Sequence, residues 1–488
     1  MATRERCDAG LARGPVWLAC ALAVLLLQAV LIANHSPWPD EYQAVMLAVQ
    51  APDIHALFGW LRYEGHPPLW YLLLRALATV ADPLDTLWLA ALLIALPTQA
   101  LILFASPFRR SERLMIALSE FMLFDFLTIS RSQTLGVALM VLVMVLWRRR
   151  WVWLAIALLP MCDFLFGVVS GIFVLLQWRE KGLWWPGVTL WLLLSALAGW
   201  SVVPAPDMVS AFDQFGMQSG LLVWLSEMSS LAIPFQGGIA PQWNSPTNPV
   251  AGFAWLAFIL LAWWQTRHDG FHRFLLFGFI ALTLAFSLLV YPLGLRHLML
   301  IALLLILFEW RVRCDGGKPN IPFTSWLAVC AICGLATAAV SFTRPFHAAG
   351  QVVAEIRARG LDDAHWMAFP DWRVPSVSAL SGMQFERAEQ ECMMDFVRWD
   401  HRTSLLEPGR LEAYLTARVE RDGRFYLLSD LPLAFLPPAL ARPLAEIEAG
   451  YDGIPFYLFE VGPDAEKRDI TRPACVPEKR PLHPAAGK

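Results

Sequence analysis

SPWPDEYQAVMLAVQAPDIHALFGWLRYEGHPPL, residues 36–69, follows the first long apolar segment of the chain and gathers ionisable groups that a passive membrane loop does not need. Asp40 and Glu41 stand side by side behind Pro39 at a helix start. Glu64 and His66 recur just before the paired prolines Pro67 and Pro68. Whether the surrounding chain spans a bilayer decides what these groups can do.

With 57% hydrophobic and 16% charged residues, against about a quarter charged in soluble domains, the chain reads as an integral membrane protein. Several runs approach the roughly 20 apolar residues that cross a bilayer as a helix. The first follows Arg4, Arg6 and Arg13 and is too long for a signal h-region, so it reads as a retained signal-anchor with the N-terminus cytoplasmic. Basic clusters at Arg109, Arg110 and Arg113, Arg148 to Arg150, Arg179 and Lys181, Arg267 and Arg273, and Arg311, Arg313 and Lys318 belong on the inside. All five fall there if the segment from Leu69, which carries Arg75, lies along the outer interface. Spans are then expected near 15–34, 84–105, 113–129, 133–147, 151–162, 164–178, 183–203, 250–265, 273–290, 295–310 and 323–342, about eleven in number, with the C-terminus outside.

This predicts a polytopic α-helical membrane protein with a transmembrane domain over 1–343, outer loops at 35–83 and 204–249, and a periplasmic α/β domain over 344–462. In that domain helix-like runs (350–359, 409–420) alternate with strand-like ones (364–369, 424–428, 455–461). The tail 463–488, rich in Pro, Lys and Glu, is expected to be mobile. Cys330 and Cys333 form a CxxC inside an apolar run and read as a packed helix face. Cys392 and Cys475 share an exported region, where a disulfide is open to them.

Three polar residues, Arg131, Arg296 and His297, sit near outer span ends where the charge bias should have removed them. Ionisable groups at membrane depth are costly unless paired or lining a wet cavity. With Asp40, Glu41, Glu64 and His66 they define an outer cavity holding acids and bases, a set suited to group transfer from a phosphate carrier. A carboxylate takes the proton of an attacking hydroxyl, and arginine forks hold the leaving phosphate. Glu41, Glu64 and His66 also offer oxygen and imidazole ligands for a divalent metal such as Mn, Mg or Zn. Plainer roles stand beside these: Asp40 as an N-cap, Glu41 as a solvated first-turn acid, Glu64 paired with Arg62, His66 as a turn residue, Arg131 and Arg296 snorkelling to headgroups, and His297 packed on Tyr291.

The order PDEYQAVMLA, GHPPLWYLLLRA, SRSQTLGVAL and LGLRHLMLIALLLIL, with AHWMAFPDWRVPSVSALSG in the tail, resembles the type-C (GT-C) glycosyltransferase superfamily, in the protein O-mannosyltransferase-like branch of bacterial membrane transferases that includes lipid A aminoarabinose transferase. The resemblance implies an inverting transferase that moves a sugar from a polyprenyl-phosphate donor to an acceptor lipid, glycan or protein on the periplasmic face of the inner membrane, without nucleic acid. It makes Asp40 the base, Glu41 its support or a metal ligand, and Arg131, Arg296 and His297 the groups facing the donor phosphate. Two departures from the family pattern are His297, where Tyr is common, and Thr134 with Leu135, where Arg and Tyr are common. A transporter or flippase for a lipid-linked or anionic substrate would use the same charges, but no internal repeat of the kind transporters show is visible.

Overall fold

The computed structural model describes residues 14–208, 212–235, 254–400, 407–463 and 470–482. The basic residues ahead of the first span, much of the 204–249 loop and parts of the tail lie outside them. The helical body opens with α1 (Pro15–Asn34), α2 (Pro39–Gln50), α3 (Ile54–Glu64), α4 (Leu69–Leu77), α5 (Asp85–Ala105) and α6 (Arg110–Ala117). It continues with α7 (Ser132–Val145), α8 (Val152–Leu158), α9 (Phe164–Lys181), α10 (Trp185–Ser201), α11 (Phe212–Ser230), α12 (Ala254–Gln265), α13 (Gly270–Leu289), α14 (Leu295–Cys314) and α15 (Ile321–Thr343). Among the described residues α1, α5, α13 and α15 are long and apolar enough to cross a membrane, and Ser132–Val145, Val152–Met161 and Ala254–Gln265 are shorter apolar helices. α1 shows how such a helix divides its faces. Trp17, Ala21, Val24, Gln28 and Leu31 are buried, while Leu18, Leu22 and Leu26 are at least half exposed, a pattern that lipid tolerates and water does not.

The run 113–129, expected as one span, is broken. α6 stops at Ala117, and Phe121–Phe126 forms a π-helical turn. The polar Glu120 and Asp125 are buried there, and α15 presses against the break at Gly334, where a Cβ would stand 2.1 Å from the Leu118 carbonyl. A buried glutamine ladder supports the turn. Gln28 donates to Leu123 O at 3.1 Å and Thr128 Oγ1 at 3.0 Å, and Gln99 donates to Gln28 Oε1 at 3.0 Å. Broken helices persist at membrane depth only when neighbours satisfy the backbone in this way. The break aims residues 127–131 at the 36–69 stretch.

That stretch forms α2 and α3 and ends where α4 begins. α2 begins at Pro39, as proline in the first turn predicts. α4 buries Trp70, Tyr71 and Leu74, and its Arg75 donates to Ala48 O and Ala51 O, each at 2.8 Å, closing the C-terminal end of α2.

The C-terminal domain comprises α16 (Ala349–Ala358), β1 (Trp366–Ala368), α17 (Val374–Ser381), β2 (Phe385–Arg387), β3 (Cys392–Met394), α18 (Pro408–Asp422), β4 (Phe425–Ser429), β5 (Ala441–Ile447) and β6 (Phe456–Val461). The sheet order is β3-β2-β1-β4-β6-β5, with β1 parallel to both β2 and β4. Its contacts with the helical body include two apolar ones. Phe346 and Tyr451 pack on Phe124 of the π turn, and α17 packs Ala379 and Leu380 on Tyr42 and Val45 of α2. His347 contacts Asp452 Oδ2 at 2.5 Å and Ser376 Oγ at 3.0 Å, a nucleophile-like trio in which all three residues are buried, so it braces α17 rather than meeting a substrate.

The tail expected to be mobile is anchored over 470–482. Cys392 and Cys475 form a disulfide, Met393 bridges Ala474, and Lys479 pairs with Asp395 at 2.6 Å. One covalent staple and a backbone bridge outweigh a composition typical of disorder. Cys330 and Cys333 are buried in α15.

Candidate functional site

Asp40 and Glu41 diverge, because successive helical residues point about 100° apart. Glu41 turns inward. Its Oε2 accepts from His35 Nε2 at 2.8 Å and the Trp38 backbone N–H at 3.1 Å, and its Oε1 from the Ser130 backbone N–H at 2.7 Å. Glu41, not Asp40, therefore caps α2 and ties it to the loop after the π turn. It is fully buried, so the solvated-acid role falls away. Among the described residues no three His, Cys, Asp or Glu side chains gather to hold a metal ion, and the set Glu41, Glu64 and His66 does not converge.

Asp40 turns outward, its side chain 49% exposed, and its Oδ2 takes Arg131 Nη1. Arg131 precedes α7 and lies 5.8 Å over the Trp38 ring. Its Nη2 stands 3.3 Å from His66 Nε2, and His66 Nδ1 stands 3.5 Å from Asp163 Oδ2. Because Arg131 can only donate, His66 accepts through Nε2 as a neutral ring whose Nδ1–H faces Asp163. Four separate segments thus build one chain, Asp40–Arg131–His66–Asp163. Burial alone would raise the Asp40 carboxyl, but the Arg131 guanidinium, with Arg373 adding to it, holds the group below its ordinary value.

Glu64 ends α3 beside this chain and does not pair with Arg62, which donates instead to Val203 O at 3.0 Å. Glu64 Oε1 accepts from Gln43 Nε2 at 2.6 Å, and Gln43 is locked by Val397, donating to its carbonyl at 2.6 Å and accepting from its N–H at 2.9 Å. Burial pushes the Glu64 carboxyl up to about 7, which the Gln43 hydrogen bond only partly offsets. Two carboxyl groups in one site are therefore driven in opposite directions, the arrangement that separates acid from base roles.

Arg296 lies behind the site. It is buried, its Nη2 donates to Asp125 O at 2.8 Å and, more weakly, Ile129 O at 3.4 Å around the π turn, and its Nε has no hydrogen-bond partner. His297 packs edge-on against Tyr291 at 6.4 Å, its plainer role, and its buried Nδ1 has no hydrogen-bond partner.

Two contributions were not anticipated. Asp163 caps α9 through Leu165 N at 3.0 Å and is 1% exposed. It is a charge at an outer span end, and the rule that picked out Arg131 would have found it. The second comes from the α/β domain: Trp372 Nε1 and Arg373 Nε both donate to Asp430 Oδ2, at 2.8 and 2.9 Å, just before α17 and thus beside the start of α2.

No protein-family model matches the chain, and no curated protein does. Among solved structures its neighbours include ArnT from Cupriavidus metallidurans in the apo state, at TM-score 0.49 and 14% identity, covering 92% of this chain and 99% of that one. The same protein bound to undecaprenyl phosphate aligns at TM-score 0.40 and 15% identity, covering 93% and 100%.

Proposed function

We propose that the protein is an inverting membrane glycosyltransferase that moves a sugar from a polyprenyl-phosphate donor to an acceptor on the periplasmic face of the inner membrane. The observation that carries this reading is the Asp40–Arg131 pair, a partly exposed carboxylate and a guanidinium brought together from segments 91 residues apart. Asp40 is the proton acceptor. Arg131 is the phosphate ligand, and in the absence of donor it is held by Asp40. A carboxylate so paired is ionised but a weak base. When a donor phosphate draws Arg131 away, Asp40 loses its counter-ion and its basicity rises at the moment the acceptor needs deprotonating. The acceptor oxygen or nitrogen then attacks the anomeric carbon, the bond to the phosphate oxygen breaks, and the phosphate leaves on Arg131. His66, backed by Asp163, orients Arg131, and Arg296 stiffens the turn behind it.

The test is release of free polyprenyl phosphate by purified full-length protein given a polyprenyl-phosphate sugar and a membrane extract as acceptor source. Release that depends on Asp40 supports the reading. Movement of intact donor across vesicles without release identifies the flippase instead.

A further inference from the structure

The C-terminal sheet contains a topological switch point, the place where open α/β sheets form a ligand crevice, that the transferase reading has not used. From β1 the chain passes through α17 to β2 on one side, and β4 joins β1 on the other, so strand order reverses between β1 and β4. Ligands of open α/β sheets bind outside the carboxyl ends of the strands at such a point. Trp372 and Arg373 follow the end of β1, and Asp430 follows the end of β4.

Arg373 is built for a ligand rather than for the fold. Its Nε is fixed on Asp430 Oδ2 at 2.9 Å, and its two terminal nitrogens have no protein partner among the described residues. The side chain is 21% exposed. Asp430 is 8% exposed, and its Oδ1 is buried without a hydrogen-bond partner, so the carboxylate is held in place by Trp372 and Arg373 on its other oxygen. A solvated surface ion pair would show none of this, since both groups would be free to satisfy themselves with water. The crevice also faces the right way. α17, which starts immediately after Arg373, packs on α2, and Arg373 acts electrostatically on Asp40 in the first turn of that helix.

We propose that Arg373, presented by Asp430 at this crevice, is a second phosphate-binding group of the site, reaching it from the α/β domain and gripping a phosphoryl group of one of the two substrates opposite Arg131. This rests on the transferase reading and makes the α/β domain part of the active site. A guanidinium anchored by Nε keeps both terminal nitrogens parallel and free, the geometry that binds two phosphate oxygens at once. The phosphate is that of the donor carrier or one borne by the acceptor.

The experiment uses full-length protein in detergent with two probes: undecaprenyl phosphate, and dihexanoyl phosphatidic acid, a monophosphate lacking the carrier chain. Arg373→Gln is expected to weaken binding roughly tenfold, Arg373→Lys to restore only part of it, and Asp430→Asn to fall between. A loss confined to undecaprenyl phosphate assigns the carrier. A loss confined to phosphatidic acid assigns an acceptor phosphate, and a loss for both assigns a seat that ignores the tail. Wild-type protein binding neither probe, or Arg373→Gln binding both as wild type does, overturns the inference. Should the probes bind through Arg373 while no sugar donor ever yields free polyprenyl phosphate, the transferase reading falls and the phosphate seat stands. Transfer by Arg373→Gln with unchanged KM for donor and acceptor gives the opposite result.

Discussion

At the C-terminal end of α14, Arg313 donates to both oxygens of Glu112, at 3.1 and 3.0 Å, and to Glu309 one turn back. Glu112 also accepts from Thr324 Oγ1 at 2.9 Å and the Arg109 N–H at 3.0 Å, and none of the three ionic side chains is more than 3% exposed. At the N-terminal end, about 30 Å away by the rise of a 20-residue helix, the charges are arranged differently. Arg131 shares itself between Asp40 and His66, Asp40 is half open, and Arg373 has unfilled donors. Both ends hold acids and bases in near-apolar surroundings. One end saturates every atom and is architecture; the other leaves atoms unfilled, which is the condition for binding something else.

The comparison breaks first at Asp40. Asp40→Asn is nearly isosteric, so the fold and the Arg131 position should survive, while release of polyprenyl phosphate falls by about 10²- to 10⁴-fold, the usual worth of a general base. The same variant frees Arg131, so it should bind undecaprenyl phosphate at least as tightly as wild type. Turnover near wild type, or binding lost along with turnover, would remove Asp40 as the base. Arg131→Gln should instead lose both, with binding down about tenfold to a hundredfold in titrations of the purified protein.

The other end should answer in stability and not in chemistry. Arg313→Met strands Glu112 and Glu309 as buried like charges, which costs about 3–5 kcal/mol. A lower thermal midpoint with unchanged turnover per folded molecule is expected. A variant that melts with wild type would show that the saturated cluster is not what holds this end together.

The contrast also explains what could be read from the sequence. Asp40 stands out in the sequence as an acid behind a proline after an apolar span, and the same residues predict the start of α2. Glu41 is next to Asp40 in sequence, yet the helical angle between neighbours sends it to His35 and Ser130, partners that the sequence does not name. Arg131 was found and its partner was not, since nothing in SRSQT says which of several outer acids it meets. The 113–129 run concealed its break because FMLFDF stays apolar enough to pass for a span, although the buried Glu120 and Asp125 marked it. In the α/β domain the runs 350–359 and 409–420 correspond to α16 and α18, and 364–369, 424–428 and 455–461 to β1, β4 and β6, while β5 was not expected. Arg373 did not stand out, because its meaning depends on β1 and β4 lying side by side, a pairing between residues about 60 apart in the chain that local pattern does not encode.

The smallest effect tests whether Glu64 belongs to the functional end or to the packing around it. Its carboxyl is raised to about 7 from an ordinary 4.5, so the folded protein holds this proton across a window in which the unfolded chain has lost it. Stability from this group is therefore fully present below about 4.5 and is lost as pH rises towards 7, where the carboxylate must be buried ionised. Glu64→Gln keeps the Gln43 contact and removes that penalty. Its thermal midpoint should match wild type near pH 5 and exceed it near pH 8 by roughly 2 °C. If Glu64 also exchanges protons with substrate, the pH–rate profile of wild type carries a limb near 7 that Glu64→Gln lacks. A shift in the melting profile with an unchanged rate profile would place Glu64 with Glu112, among the groups that only hold the fold. A shift in both would extend the functional cluster by one more carboxyl, on the side of the site where Gln43 is locked to Val397 of the α/β domain.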